Sequence, residues 1–396
     1  MKKWFHTKYL TMWLFLIYLS ATFLSNLAPL YDGIRTTGYI LVNQGILNPS
    51  LIETAYTDGF LGKNAYITGN GAVQRMLGAR ILNERYMLDN GHLTYIISEY
   101  DVEEITQKTV NFRDALEIMD IPLVYVNAPF KIHRTDKQLP LSVEDHSNEN
   151  ADRFLNALKK ENVTTLDLRE AIDTENRNHY DLFYKTDHHW TAEAGLWAAG
   201  TISTFLAEMD PGFAVDSALW ESSNYNYTLY EDVFLGSSGR RVGPLYIGRD
   251  DFTLITPKFD TKLTFLDSDA GVSREGSFSD VFLFMENLIC EDSFRSNTYQ
   301  VYCGSNRSRI EIVNHGIGHN AAGADKKLLL IRDSFSDVLV PFLSMGYAQT
   351  HVIDLRYFEG DLLEYVEQYS PDMVLVVYNP GAYESSNANM FDFLPQ

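Results

Sequence analysis

The chain has 396 residues, of which 45% are hydrophobic and 21% charged, a globular composition with material for a large core and two to three domain-sized units. Its formal net charge is −21, a surface that repels phosphate backbones and argues against nucleic acid as a partner. The two cysteines, Cys290 and Cys303, stand near no metal-ligand pattern. In an exported protein they would either close a hairpin as a disulfide or remain two buried thiols.

In chain order, Lys2, Lys3 and Lys8 precede a run without charges from Tyr9 to Leu30. About twenty such residues cross a bilayer as a helix, with the basic flank on the cytoplasmic side. Residues 1–30 therefore read as a membrane anchor. A cleaved signal segment is the alternative, although no clean small-x-small site follows the run. Under either reading the body lies outside the cytoplasm, and the anchor would hold it at the cell membrane. Residues 31–57 read as a stalk. Residues 58–71 are rich in glycine and aromatics, which predicts tight turns around a short strand; their spacing is not that of a phosphate loop, and Lys63 alone does not make one.

A helical period over 102–119 places Ile105, Val110, Phe112, Leu116 and Met119 on one face. A buried strand over 121–126, a turn from Asn127 to Lys131, a helix over 150–160 and a strand over 163–168 follow. Strand, helix and strand in succession predict a parallel α/β layout. Thr191 is placed to cap a helix running to Met209, with Glu193 at the positive end of its dipole. Residues 210–325 carry short β-branched and aromatic runs between glycine clusters and read as a β-rich insertion over the site. The parallel pattern resumes at 328–331, 350–354 and 373–378, with a helix over 361–369. Residues 58–209 and 326–396 are thus read as two parts of one α/β domain.

Chemistry concentrates in Tyr184-Lys185-Thr186-Asp187-His188-His189-Trp190-Thr191, which holds a carboxylate, two imidazoles, an indole and a helix start. A serine attacks a carbonyl only when a base takes its proton and a third group fixes that base. Asp187 and His189, two apart before a helix, can serve as orienting carboxylate and base. Ser334 ends an apolar strand, where open parallel sheets place their sites, and a sharp turn there would aim its amide and those of a first helical turn near Asp337 at an oxyanion, with Pro341 in that turn. His188 points away from His189 in an extended segment. Trp190 is a core plug or a stacking surface for a sugar ring. Arg332, just before Asp333-Ser334, either narrows the site or brings positive charge to it. Asn379, after the last strand, and Asn127, after an earlier one, are candidate oxyanion donors. A metal-dependent hydrolase built on Asp187, His188 and His189 is a weaker alternative, because no spacing ties His179, His315 or His319 to them.

Thr186-Asp187-His188-His189-Trp190-Thr191 resembles the signature of the DHHW family of bacterial exported proteins. That family is similar to the alginate O-acetylation proteins, whose SGNH-hydrolase-like domains carry an Asp-x-His-Trp motif before the serine. Residues 62–67, the turn Ala128-Pro129-Phe130-Lys131 and Arg332-Asp333-Ser334-Phe335 resemble further blocks of those domains, the last with arginine in place of glycine. The resemblance implies an SGNH-like parallel sheet flanked by helices, with Ser334 as nucleophile, His189 as general base and Asp187 orienting it. It implies serine-dependent acyl transfer to an extracellular polysaccharide, with no cofactor and no metal, the acyl group coming from a membrane-bound acyltransferase. A carbohydrate esterase and a catalytically inactive glycan-binding scaffold are the competing functions.

Overall fold

A computed structural model describes residues 2–288, 292–316 and 322–394. The chain falls into two units, residues 1–73 and 74–396. In the first unit α1 (Lys2–Ser25), α2 (Leu27–Gln44) and α3 (Ser50–Asp58) are helices, and α4 (Lys63–Met76) begins there. The helical stretch Tyr9–Asn43 contains an 18-residue window with a mean hydropathy of 1.5, almost none of it buried, and is by length and composition able to cross a membrane. Residues 63–71 are helical where turns around a short strand were expected. Gly62 takes the left-handed conformation (φ 83°) just before the helix, which then absorbs Gly69 and Gly71 at about 1 kcal/mol each.

The second unit opens with a small meander, β1 (Ile81–Leu82), β2 (Arg85–Met87) and β3 (Leu93–Thr94). Its centre is an eight-stranded sheet of order β5-β4-β13-β11-β12-β10-β8-β9. Five strands are parallel: β4 (Leu123–Asn127), β5 (Thr164–Asp167), β11 (Lys327–Arg332), β12 (Gln349–Ile353) and β13 (Met373–Tyr378). The sheet is mixed, because β8 (Leu263–Asp267), β9 (Val272–Gly276) and β10 (Arg309–Asn314) extend it antiparallel beyond β12. Residues 210–325 also form a separate ribbon, β6 (Tyr225–Phe234) with β7 (Asp250–Pro257).

Alternation along the central strands feeds two cores. Leu328 and Leu330 of β11, with Leu375 and Val377 of β13, join one face with α8 (Ala192–Met209); Leu329, Ile331, Val374 and Val376 join the other with α5 (Glu103–Glu117) and α6 (Ser147–Lys160). Between them in the chain, α7 (Leu168–Thr174) follows β5. A parallel strand flanks β11 on either side, so its carboxyl end lies mid-sheet, where such a sheet leaves a crevice.

Candidate active site

The loop carrying the two histidines is closed at its base by a bridge between Phe183 and Trp190 and by the Thr191 N–H donating to the Leu182 carbonyl at 2.8 Å. Thr191 then caps α8, its hydroxyl accepting from the Ala194 N–H at 3.2 Å. Asp250 of β7 accepts from the Lys185 and Thr186 amides and from the Thr186 hydroxyl. Beneath the loop the Lys131 side chain, fully buried, donates to the carbonyls of Leu93, Tyr184 and Asp187. Burial pulls its amine down to about 8. The turn from 127 to 131 thus holds the histidine loop through one ammonium and the two main-chain oxygens of Tyr184 and Asp187, and ties it to Leu93 of β3.

Asp187 is buried, and each of its oxygens has a separate task. Oδ1 meets His189 Nδ1 at 2.5 Å and accepts the His189 amide at 3.0 Å; Oδ2 accepts the Ser237 amide at 2.5 Å. Burial opposes its charge, but the His189 ring and the Ser237 amide outweigh that and hold the carboxyl well below the usual range. Ser237 opens α9 (Ser237–Val242), and Gly236 before it has no room for a side chain: a Cβ there would stand 2.3 Å from Asp187 Cβ.

Ser334 follows β11 on a turn capped by Asp333, whose Oδ1 accepts the Phe335 amide at 2.9 Å. Its hydroxyl lies 2.8 Å from His189 Nε2. A continuous relay therefore runs from Asp187 through His189 to Ser334. The His189 ring lies flat on Tyr299, 4.0 Å between centroids, and the Tyr299 hydroxyl donates to the Phe335 carbonyl at 2.9 Å. Trp190 Nε1 donates to that carbonyl at 2.7 Å. The capping turn begins at Asp333, not near Asp337, and Pro341 falls in the first turn of the short helix Val340–Leu343.

The Ser334 hydroxyl opens on a cleft of about 620 Å³ lined among others by His188, Ser237, Tyr95, Arg85, Arg356 and Asn379. His188 hydrogen-bonds Ser237 Oγ through Nδ1 at 2.9 Å, and burial, reinforced by repulsion from His189, pulls its ring down to about 3. Its ring centroid stands 3.7 Å from that of His189, so the local turn brings the two rings together rather than apart. Replacing His188 by glutamine is expected to lower turnover less than tenfold and to leave the acid limb of the pH–rate profile in place, because the ring is neutral throughout the working range; a shifted limb would show that His188 titrates there.

Of the remaining sequence candidates, Trp190 takes the core-plug role of the two expected of it and Asn379 lines the cleft, whereas Asn127 and Arg332 stand elsewhere. Trp190 is fully buried and braces the serine turn, so it offers no face to a sugar. Asn127 is fully buried, its Nδ2 donating to Asp167 and its Oδ1 accepting from Tyr383, and it does not line the cleft. Arg332 neither narrows the cleft nor charges it. Its alternation along β11 turns it into the core, where it pairs with Asp337 at 2.8 Å and lies 3.7 Å from Asp354. Guanidinium groups in the cleft come instead from Arg85, Arg241 and Arg356, the last held by both oxygens of Asp354. Asn379 does line the cleft, with Nδ2 donating one hydrogen to Asp333 Oδ2 at 2.6 Å. Among the described residues the Ser334 N–H has no hydrogen-bond acceptor.

Metal-ligating atoms of Asp187, His188 and His189 fall within 4.8 Å of one another. They are directed at each other, Ser237 and Ser334, as above. His179 is directed at the Lys131 carbonyl and His315 at Thr264 Oγ1, away from that group; His319 lies outside the described residues. Cys303 is buried beside the Asp337 carbonyl, and Cys290 lies outside the described residues. Sequence reasoning gave no role to Lys131, Asp250, Tyr299, Asp333 or Arg356. A lysine directly after a strand-ending Pro turn was the one local signal available.

Residues 92–218 match the family model described as the SGNH hydrolase-like domain of the acetyltransferase AlgX. No curated protein matches the chain. Among solved structures, PatB1 of Bacillus cereus carrying a sulfonyl adduct superposes with a TM-score of 0.62 at 20% identity, over 79% of this chain and 100% of that one. A DHHW family protein from Eubacterium siraeum superposes with a TM-score of 0.61 at 18% identity, over 79% and 97%. The mixed α/β fold is therefore SGNH-like, and the resemblance first carried by Thr186 to Thr191 extends to the architecture around it.

Proposed function

We propose that this protein is a serine-dependent acyl transferase that passes an acetyl group, through an acyl-Ser334 intermediate, to a hydroxyl of an extracellular polysaccharide. The observation that carries the reading is the unbroken relay Asp187–His189–Ser334 ending in an open cleft. His189 Nε2 takes the proton of Ser334 Oγ as the oxygen attacks the donor's ester carbonyl, and Asp187 stabilises the imidazolium. The Ser334 amide and the second hydrogen of Asn379 Nδ2 serve as donors to the tetrahedral oxyanion. Collapse breaks the bond to the donor's leaving oxygen, which takes the proton from His189. An acceptor hydroxyl then gives its proton to His189, attacks acyl-Ser334, and leaves as the new ester while Ser334 recovers its proton.

The apolar stretch Tyr9–Asn43 supports anchorage in the cell membrane, with Lys2, Lys3 and Lys8 on the cytoplasmic side and the body outside. That location suits a membrane-bound acyltransferase as donor. Openness of the cleft to water keeps hydrolysis, and hence a carbohydrate esterase, as the second reading. Incubating the protein with an activated acetyl ester, with and without a glycan, is expected to give a +acetyl mass on the peptide containing Ser334 and an O-acetylated glycan. Acetate as sole product in saturating glycan would favour the esterase, and no adduct and no turnover would leave a scaffold.

A further inference from the structure

A second groove, of about 880 Å³, runs along the outer side of α8. Glu193, Trp197, Thr201, Thr204 and Glu208 recur at helical spacing along one wall, and Trp220 and Tyr227 face them. Gly200 makes the contact between walls possible: a Cβ there would lie 3.0 Å from Trp220 Cβ. Trp197 is fixed by its Nε1, which donates to both oxygens of Glu175 at 3.0 Å, with the Arg177 guanidinium 5.2 Å from its ring centre. Tyr227 is 44% exposed and lines the same groove as Glu193, so a half-exposed aromatic side chain and a carboxylate share one surface.

Beside aliphatic side chains such as Leu166 and Leu196, the lining offers aromatic rings and acceptor oxygens. Asp167, Glu170, Glu175, Glu193 and Glu208 outnumber Arg177 as charged groups. Flat rings take the C–H faces of a pyranose, and carboxylates accept from its hydroxyls. The excess negative charge repels carboxylated or phosphorylated chains and tolerates neutral or protonated-amino ones. We infer that this groove binds a strand of neutral or amino-bearing sugars, as a site separate from the Ser334 cleft. The preference for a glycan over a basic peptide rests on the acyl-transfer reading; the groove itself does not. Because α8 starts three residues after His189, a strand gripped there is held on the helix that directly follows the loop carrying the base, which raises the acceptor's effective concentration.

Titration calorimetry of the full chain in detergent micelles tests this with four probes: hexamers of glucosamine, N-acetylglucosamine and galacturonate, and hexalysine. The two uncharged or amino hexamers are expected to bind, and Tyr227→Ala and Trp197→Ala each to weaken them about tenfold. Galacturonate is expected to bind at least about tenfold more weakly. Tyr227 is exposed, so that variant keeps the test open if Trp197→Ala fails to fold. Equal binding by wild type and Tyr227→Ala, binding of hexalysine in preference to both sugars, or no binding of either sugar would overturn the inference. Titration is read without turnover, so its failure and failure of the acyl-serine test are separate results.

Discussion

Replacing Ser334 by alanine is expected to abolish the acetyl adduct and to lower activated-ester turnover by roughly 10⁴-fold or more. The alanine keeps the backbone of the capped turn and removes only the oxygen that His189 Nε2 addresses at 2.8 Å. Asp187→Asn is expected to cost roughly 10³- to 10⁴-fold, since an amide can hold the His189 ring yet presents the wrong partner to Nδ1 and does not stabilise the imidazolium. The double variant should be no worse than Ser334→Ala alone, because the two side chains act as one unit. Mass spectrometry and stopped-assay rates check all three. Turnover in Ser334→Ala equal to wild type would remove the acyl-serine mechanism.

The second large effect concerns stability. Lys131→Met is expected to destabilise the second unit by about 3 kcal/mol or more, because it strands the buried carbonyls of Leu93, Tyr184 and Asp187, each at about 1–3 kcal/mol, and relief of the ammonium's desolvation offsets only part of that. For a unit of this size the melting temperature should fall by on the order of 5–10 °C. Activity should fall further than the folded fraction explains, since the Asp187 carbonyl loses its anchor. A thermal melt and a rate measured well below the transition would show both, and an unchanged melt would mean that water or another group can satisfy the three oxygens.

The parts of the site written as neighbours were readable in the sequence, and the parts assembled from a distance were not. Asp187, His189 and the Thr191 cap lie within five residues, so spacing and helix-start chemistry placed them together. Ser334 was legible because an apolar run ended there in a polar turn. Lys131, Asp250 and Tyr299 act on that loop across sequence gaps that no period spans, and apart from the Pro turn before Lys131 no local pattern separates such a brace from a surface group. Arg332 was misread for a related reason: strand alternation decides its direction, and the carboxylates that receive it, Asp337 and Asp354, sit on later elements. The parallel strands β4, β5, β11, β12 and β13 were visible as apolar runs. That β8 to β10 continue the same sheet was hidden, because their alternating composition fits a separate lobe equally well.

His189 and Ser334 are 145 residues apart in the chain, and the carbonyl of Phe335 is the knot that ties Trp190 and Tyr299 to the serine turn. A nascent chain released before β11 is made holds the base without its hydroxyl, and the pair closes across a sequence separation of the kind that slows folding. Ester turnover, if it depends on this pair, would then report a long-range contact and would trail the local structure around His189 during refolding.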